Sequence, residues 1–184
     1  MYIARIIYPV EVLGPGKRIG IWFAGCPRRC KGCSNPELWE MDSKYQISFK
    51  HFKELVLEIV SQKKVEGFTL TGGDPLFQPE AFRNIIDFLK TINDDILVYT
   101  GYSFKEINRN LLKDVAVLID GPYLESLNDN VFLRGSSNQT IYILENQVED
   151  KYRTYISEGR NKIQNIVVED GIISIGIHDK NFRM

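Results

Sequence analysis

Cysteine and histidine are scarce: the 184 residues hold three of the first and two of the second. An odd number of cysteines cannot pair off as disulfides within one chain. Neither sign of charge is in excess, since 23 Lys plus Arg stand against 24 Asp plus Glu, a net charge of −1. That balance offers no overall basic field and argues against a general nucleic-acid binder. No apolar run reaches the roughly eighteen residues that a membrane-spanning helix needs. The opening Met1-Tyr2-Ile3-Ala4-Arg5 lacks the charged start, apolar stretch and small-residue cleavage site of a secretory signal. A cytoplasmic location is therefore expected. Internal repeats and low-complexity linkers are missing too. What is present is ordinary globular composition, 43% hydrophobic and 26% charged, too apolar and too near neutrality for a disordered chain.

The cysteines are few but placed together. Cys26, Cys30 and Cys33 share the short segment Gly25-Cys26-Pro27-Arg28-Arg29-Cys30-Lys31-Gly32-Cys33. Thiolates this close repel one another, and a metal or metal cluster is the natural neutraliser because coordination deprotonates thiols outright. Structural zinc takes four ligands, yet His51 and His178 both lie far from the segment in sequence. His51 has charged neighbours on a predicted helix and reads as solvated. An ordinary iron–sulfur site takes four cysteines. Three cysteines in C-x3-C-x2-C would hold three irons of a cubane and leave the fourth open to a small molecule.

Hydrophobic patterning gives the frame. Tyr2 to Leu13 reads as an edge strand or hairpin broken at Pro9, and Ile19 to Ala24 as a buried strand. Ser48 caps a helix running to about Ser61, with Phe49, Phe52, Leu55, Val56, Ile59 and Val60 at helical spacing. Strands are expected at Gly67–Thr71, Ile96–Thr100, Val115–Asp120 and Thr140–Leu144. Pro79 opens a second helix bearing Phe82, Ile85, Ile86 and Leu89 on one face. Ser103-Phe104-Lys105-Glu106 is a capping box predicting a third helix to about Leu112. This strand–helix rhythm predicts an α/β fold with a parallel sheet. The chain is too short for a full eight-unit barrel, typically about 250 residues, which leaves an open partial (β/α) barrel. Functional residues are then expected at the C-terminal ends of its strands. Residues 1–145 form this core. Residues 146–184 form an extension in the same compact unit, with a short helix over Lys151–Gly159 and a hairpin of Lys162–Glu169 and Ile172–Ile177 around Asp170-Gly171.

The motifs resemble a known family. C-x3-C-x2-C resembles the signature of the radical S-adenosylmethionine (SAM) superfamily. The run Gly14-Pro15-Gly16-Lys17-Arg18-Ile19-Gly20-Ile21-Trp22-Phe23-Ala24-Gly25-Cys26, with Asn35 and Trp39, resembles a narrower group within it, the activating enzymes of anaerobic ribonucleotide reductase and their relatives. So do Thr71-Gly72-Gly73-Asp74-Pro75-Leu76, Tyr99-Thr100-Gly101-Tyr102, Asp120-Gly121-Pro122 and Arg134-Gly135-Ser136-Ser137-Asn138-Gln139. These blocks fall in order between about residues 13 and 142, a span of roughly three quarters of the chain.

The resemblance implies a radical SAM partial barrel and a [4Fe-4S] cluster held by Cys26, Cys30 and Cys33. By the same resemblance, the methionyl end of SAM would chelate the open iron, and one electron from the cluster would cleave the bond to the 5′ carbon to give methionine and a 5′-deoxyadenosyl radical. Gly72, Gly73, Asp74 and Pro75 match the block that holds the SAM amino group, with Asp74 offering a carboxylate to the ammonium. Thr100 and Tyr102 would line the SAM or substrate pocket, Asp120 would bind the ribose or orient substrate, and Ser136 and Asn138 would belong to a ligand-reading loop. Many members carry an aromatic just before the third cysteine; Gly32 stands there, and Trp39 is the candidate for stacking on adenine. The expected partner is a glycyl-radical enzyme, an anaerobic ribonucleotide reductase. A flavodoxin or ferredoxin would supply electrons by docking on a basic patch of Lys17, Arg18, Arg28, Arg29 and Lys31, which predicts reduction slowed by salt. Competing readings are radical SAM chemistry on another protein or small molecule, an electron-transfer or iron-sensing module, and a zinc-binding domain. The Gly-Gly-Asp-Pro block counts against the last two.

Overall fold

A computed structural model describes residues 1–168 and 171–182. The elements, in chain order, are β1 (Ile3–Val10), β2 (Arg18–Phe23), α1 (Phe49–Gln62), β3 (Gly67–Gly72), α2 (Pro79–Leu89), β4 (Ile96–Tyr99), β5 (Val117–Asp120), β6 (Thr140–Ile143), α3 (Glu149–Glu158), β7 (Ile163–Val168) and β8 (Gly171–Gly176). β1 to β6 form one six-stranded sheet in sequential order, and β7 and β8 form a separate antiparallel pair. The fold is mixed α/β with a C-terminal hairpin. The sheet is open, with β1 and β6 at its edges.

β2, β3, β4 and β5 run parallel, joined in the first two steps by α1 and α2. Both edge strands are antiparallel to their neighbours, which corrects the expectation of a parallel sheet. A parallel neighbour needs a long crossover, and no α-helix precedes β2 or separates β5 from β6. Nor does Pro9 break β1. The strand continues through it, and the ladder slips between Ile7 and Val10, a defect an edge strand tolerates.

The helix signals at Ser48 and Pro79 hold: Ser48 Oγ accepts from His51 N at 3.1 Å, and Pro79 is the first residue of α2. The third predicted helix does not form. Ser103 N does donate to Glu106 Oε2 at 2.8 Å, as a capping box would have it. However, Phe104 N is drawn to Asp120 Oδ2 at 2.6 Å, and the Phe104 ring stacks on Tyr142 at 4.2 Å. These tertiary partners replace the helical ones, leaving only a 3₁₀ turn at Arg109–Leu112. The expected hairpin is present as β7 and β8, and Val168 pairs with Gly171. Glu169 and Asp170, part of its expected strand and turn, lie outside the described residues.

Strand residues alternate between two cores. Ile19, Ile21, Phe23, Phe68, Leu70, Ile96, Val98 and Leu118 pack against Phe52 and Val56 of α1 and Phe82, Ile85, Ile86 and Leu89 of α2. On the other face Leu97, Val117 and Ile119 meet Tyr152 of α3, while Trp22, Val10 and Leu13 meet Ile175 of β8. Burial on both faces explains why these strands read as continuous apolar runs. Among the described residues no helix is long and apolar enough to cross a membrane.

Candidate functional site

The parallel strands bring the loops after β2, β3, β4 and β5 to one rim. A cavity of about 180 Å³ opens there, lined by Cys26, Cys30 and Cys33, Thr71 to Asp74, Tyr99 to Gly101 and Gly121. Residues from four strand ends, separated in sequence, thus meet where the topology predicts a site.

The rim loops interlock through backbone. Gly73 N donates to Phe23 O at 2.7 Å, Asp74 N to Gly25 O at 2.8 Å, and Cys26 N to Trp39 O at 2.8 Å. A Cβ on Gly73 would sit 2.4 Å from Gly25 O, and Gly72 has φ +104° with the Phe23 backbone 2.5 Å from its would-be Cβ. These glycines therefore seat the cysteine loop against β3 and leave no slack between them.

All three cysteines are unpaired and partly exposed. Burial pushes the Cys26 thiol pKa up, while the amides of Arg28 and Arg29 pull it down. Burial likewise raises Cys33, opposed by the Asn35 amide, whose nitrogen lies 3.4 Å from Sγ, and by the Trp39 indole. Trp39 Nε1 is buried and makes no hydrogen bond of ordinary geometry. Among the described residues no three His, Cys, Asp or Glu side chains converge on a point that would hold a single metal ion. A polynuclear cluster makes no such demand, because each of its metals takes its own thiolate. Thiols spread around one cavity, with amides aimed at two sulfurs and a spare indole N–H beside Cys33, fit an iron–sulfur cluster.

Asp74 is fully buried and lines the cavity. Its Oδ1 accepts from Leu76 N at 3.0 Å, its Oδ2 from Gly101 N at 2.8 Å, and Thr100 Oγ1 lies 2.9 and 3.1 Å from the two. Burial pushes its pKa up to about 6, against the pull of those donors and of Arg28. Three donors leave part of the carboxylate's acceptor capacity unused.

Several expected site residues lie elsewhere. The Asp120 carboxylate is buried and taken by Phe104 N and by Thr140 N at 3.1 Å; it fixes β5 to β6 and does not line the cavity. Tyr102 also lies off the cavity, beneath the Arg28 guanidinium at 4.6 Å from its ring centre. Pro75 is buried at the start of a 3₁₀ turn. Ser136 is buried with its hydroxyl accepting from Leu124 N, and Asn138 is exposed with its amide on Pro122 O. From that loop Gly135 and Gln139 reach the cavity instead, Gln139 holding Gly121 O at 2.8 Å. The side chains of Asp120, Ser136 and Asn138 each satisfy a backbone amide or carbonyl.

The basic patch is also dispersed. Arg18 is fully buried at the opposite end of β2, where it pairs with Asp95 at 2.9 Å. Arg28, Arg29 and Lys31 pair with Glu106, Glu40 and Glu125 respectively. Sequence reasoning missed Trp22, Tyr99 and Tyr123 as lining residues; it weighed His178 as a zinc ligand that could fold back and gave the segment Ser174 to His178 no role in the site. Trp22 and Tyr99 stood inside quoted motifs; no local signal tied residues 174–178 to the cysteines.

Residues 12–142 match the family model for a 4Fe-4S single cluster domain. The chain is 37% identical over 142 residues to the anaerobic ribonucleoside-triphosphate reductase-activating protein of Enterobacteria phage T4, covering 74% of this chain and 90% of the relative. The proteins of the same description from Escherichia coli K12 and Salmonella typhi are each 32% identical, covering 74% of this chain and 96% of the relative. With that coverage, the chain belongs to the family of the 4Fe-4S single cluster domain that matches it, together with the anaerobic ribonucleoside-triphosphate reductase-activating proteins.

Proposed function

We propose that this chain is a cytoplasmic radical SAM enzyme that installs a glycyl radical on an anaerobic ribonucleotide reductase. The observation that carries the reading is the cavity itself, where three thiols from one loop and a buried carboxylate from another share a wall. When bound, a [4Fe-4S] cluster and SAM supply a 5′-deoxyadenosyl radical, with methionine as coproduct. Cys26, Cys30 and Cys33 hold the cluster, and the amides of Arg28, Arg29 and Asn35 stabilise negative charge on Cys26 and Cys33. Asp74 presents its remaining acceptor capacity to the methionyl ammonium, held in place by Thr100 and Gly101. Gly72 and Gly73 keep that carboxylate in register with the cysteine loop. The fold of this reading is the open partial barrel of the radical SAM type, which the parallel β2–β5 rim supports.

The partner follows from the relatives' shared description. A flavodoxin or ferredoxin delivers the electron, docking on a surface whose cations are paired with carboxylates. The test is anaerobic reconstitution with iron and sulfide, then dithionite and SAM, assayed for 5′-deoxyadenosine. Product is expected from the wild type and none from Cys30→Ala. Adding the reductase should then yield a glycyl-radical electron paramagnetic resonance signal. A fully loaded cluster that gives no 5′-deoxyadenosine with or without the reductase would refute the reading.

A further inference from the structure

One wall of the cavity comes from the far end of the chain. Ser174, Ile175, Gly176, Ile177 and His178, the end of β8 and the residues after it, line the same space as the three cysteines. The match to the family model ends at residue 142, so this wall lies outside it.

The hairpin is seated firmly. Ile175 is 2% exposed and packs among Val10, Leu13 and Trp22. On the paired strand, Gln164 donates to Pro9 O at 2.7 Å and accepts from Glu11 N at 3.1 Å. Asn128 Nδ2 donates to His178 O at 2.9 Å. The hairpin is thus tied to the edge strand at one point and to the loop after β5 at another.

His178 stands where two cavities meet. A second space of about 220 Å³ adjoins the first, and both are lined by Cys33, Ser34, Tyr123, Ser174 and His178. The imidazole is oriented from two sides: Nε2 lies 2.8 Å from Ser174 Oγ, and the ring packs at 4.2 Å on Phe182. Its Nδ1 is buried and has no hydrogen-bond partner among the described residues. A buried polar atom on a cavity wall is normally satisfied by what fills the cavity. The Ser174 hydroxyl can donate or accept, so Nδ1 can take either role toward a ligand.

We propose that His178 is a SAM-binding residue, its Nδ1 hydrogen-bonded to a polar group of that molecule, and that the end of β8 is the wall holding SAM against the cysteine loop. The inference rests on the SAM reading of the site given above.

The experiment is equilibrium dialysis of SAM against the anaerobically reconstituted holoprotein without reductant, so that no turnover occurs. Iron content and Tm are followed in parallel. His178→Phe keeps the ring and removes its nitrogens. It should weaken SAM binding about tenfold, as the loss of one hydrogen bond in a closed site would, with iron content unchanged. Ser174→Ala, which frees the ring, should weaken binding by a smaller factor. Affinity within about twofold of wild type for His178→Phe would overturn the inference. Unchanged SAM affinity with lost activation of the reductase would overturn it in favour of a partner contact. If the Phe variant loses its cluster, Ser174→Ala decides by the same comparison. A wild-type holoprotein that does not bind SAM would refute the proposed function itself, a result distinct from a variant that binds as well as wild type.

Discussion

Thr100 Oγ1 sits within 3.1 Å of both oxygens of the Asp74 carboxylate, so the end of β4 and the Gly-Gly-Asp-Pro loop after β3 are joined inside the cavity wall. A residue expected to face a ligand is therefore also a structural link between two strand ends.

That double role predicts pH dependence. Burial pushes Asp74 up to about 6. Between about pH 4 and 6 the folded protein retains a proton that the unfolded chain has released, so this group's contribution to stability falls as pH rises through the window. Ligand binding runs the other way, because an ammonium needs the ionised form. SAM affinity of the unreduced holoprotein should drop about tenfold from pH 7 to pH 5. Asp74→Asn should bind weakly at both, and equal slopes for variant and wild type would remove Asp74 from the ammonium site.

Gly73→Ala tests the interlock of the rim. The added Cβ meets Gly25 O at 2.4 Å, a backbone atom that cannot swing aside. A loss of about 1–3 kcal/mol is expected from such overpacking. Thermal unfolding should report it, and iron incorporation should fall because the cysteine loop is displaced.

At the other end of β2, Arg18 is fully buried with Asp95, which also accepts from Tyr152 Oη at 2.7 Å. Burial alone would raise the Asp95 carboxyl, but Arg18, Lys151 and Tyr152 hold it below its ordinary range. Its stabilisation is present at neutral pH and lost as pH falls through that depressed pKa. Asp95→Ala strands a buried guanidinium and should cost about 3–5 kcal/mol, measured by urea unfolding. The site lies at the far end of the strands, so whatever protein remains folded should still bind iron.

Paired cations near the cluster loop change the expectation for the reductant. With Arg28, Arg29 and Lys31 each matched to a glutamate, long-range steering is weak. Reduction by a flavodoxin or ferredoxin should slow by less than about threefold when ionic strength rises from 0.05 to about 0.3 M. A tenfold fall, with dithionite reduction unchanged, would restore the basic docking surface.

Some of this was legible along the chain. The buried strands β2, β4 and β5 announced themselves by apolar runs, because both of their faces are covered, whereas β1 read as a strand or hairpin broken at Pro9 and in fact runs through it. Ser48 and Pro79 placed two helices, since a cap and a first-turn proline act locally. The capping box at Ser103 misled because Asp120 and Tyr142, distant in sequence, offered Phe104 better partners than a helix did. Asp120, Ser136 and Asn138 also take backbone partners in the fold, and no spacing rule shows which amide or carbonyl each one finds.

The sequence by itself determined the chemistry at hand, because three cysteines within eight residues must share a site however the rest folds. The tertiary structure alone decided which side chains face that site. Facing depends on strand order, on which amides are left over at each strand end, and on where the terminal hairpin docks. Ile175 buries itself beside Trp22 for hydrophobic reasons, and in doing so carries His178 to the cysteines.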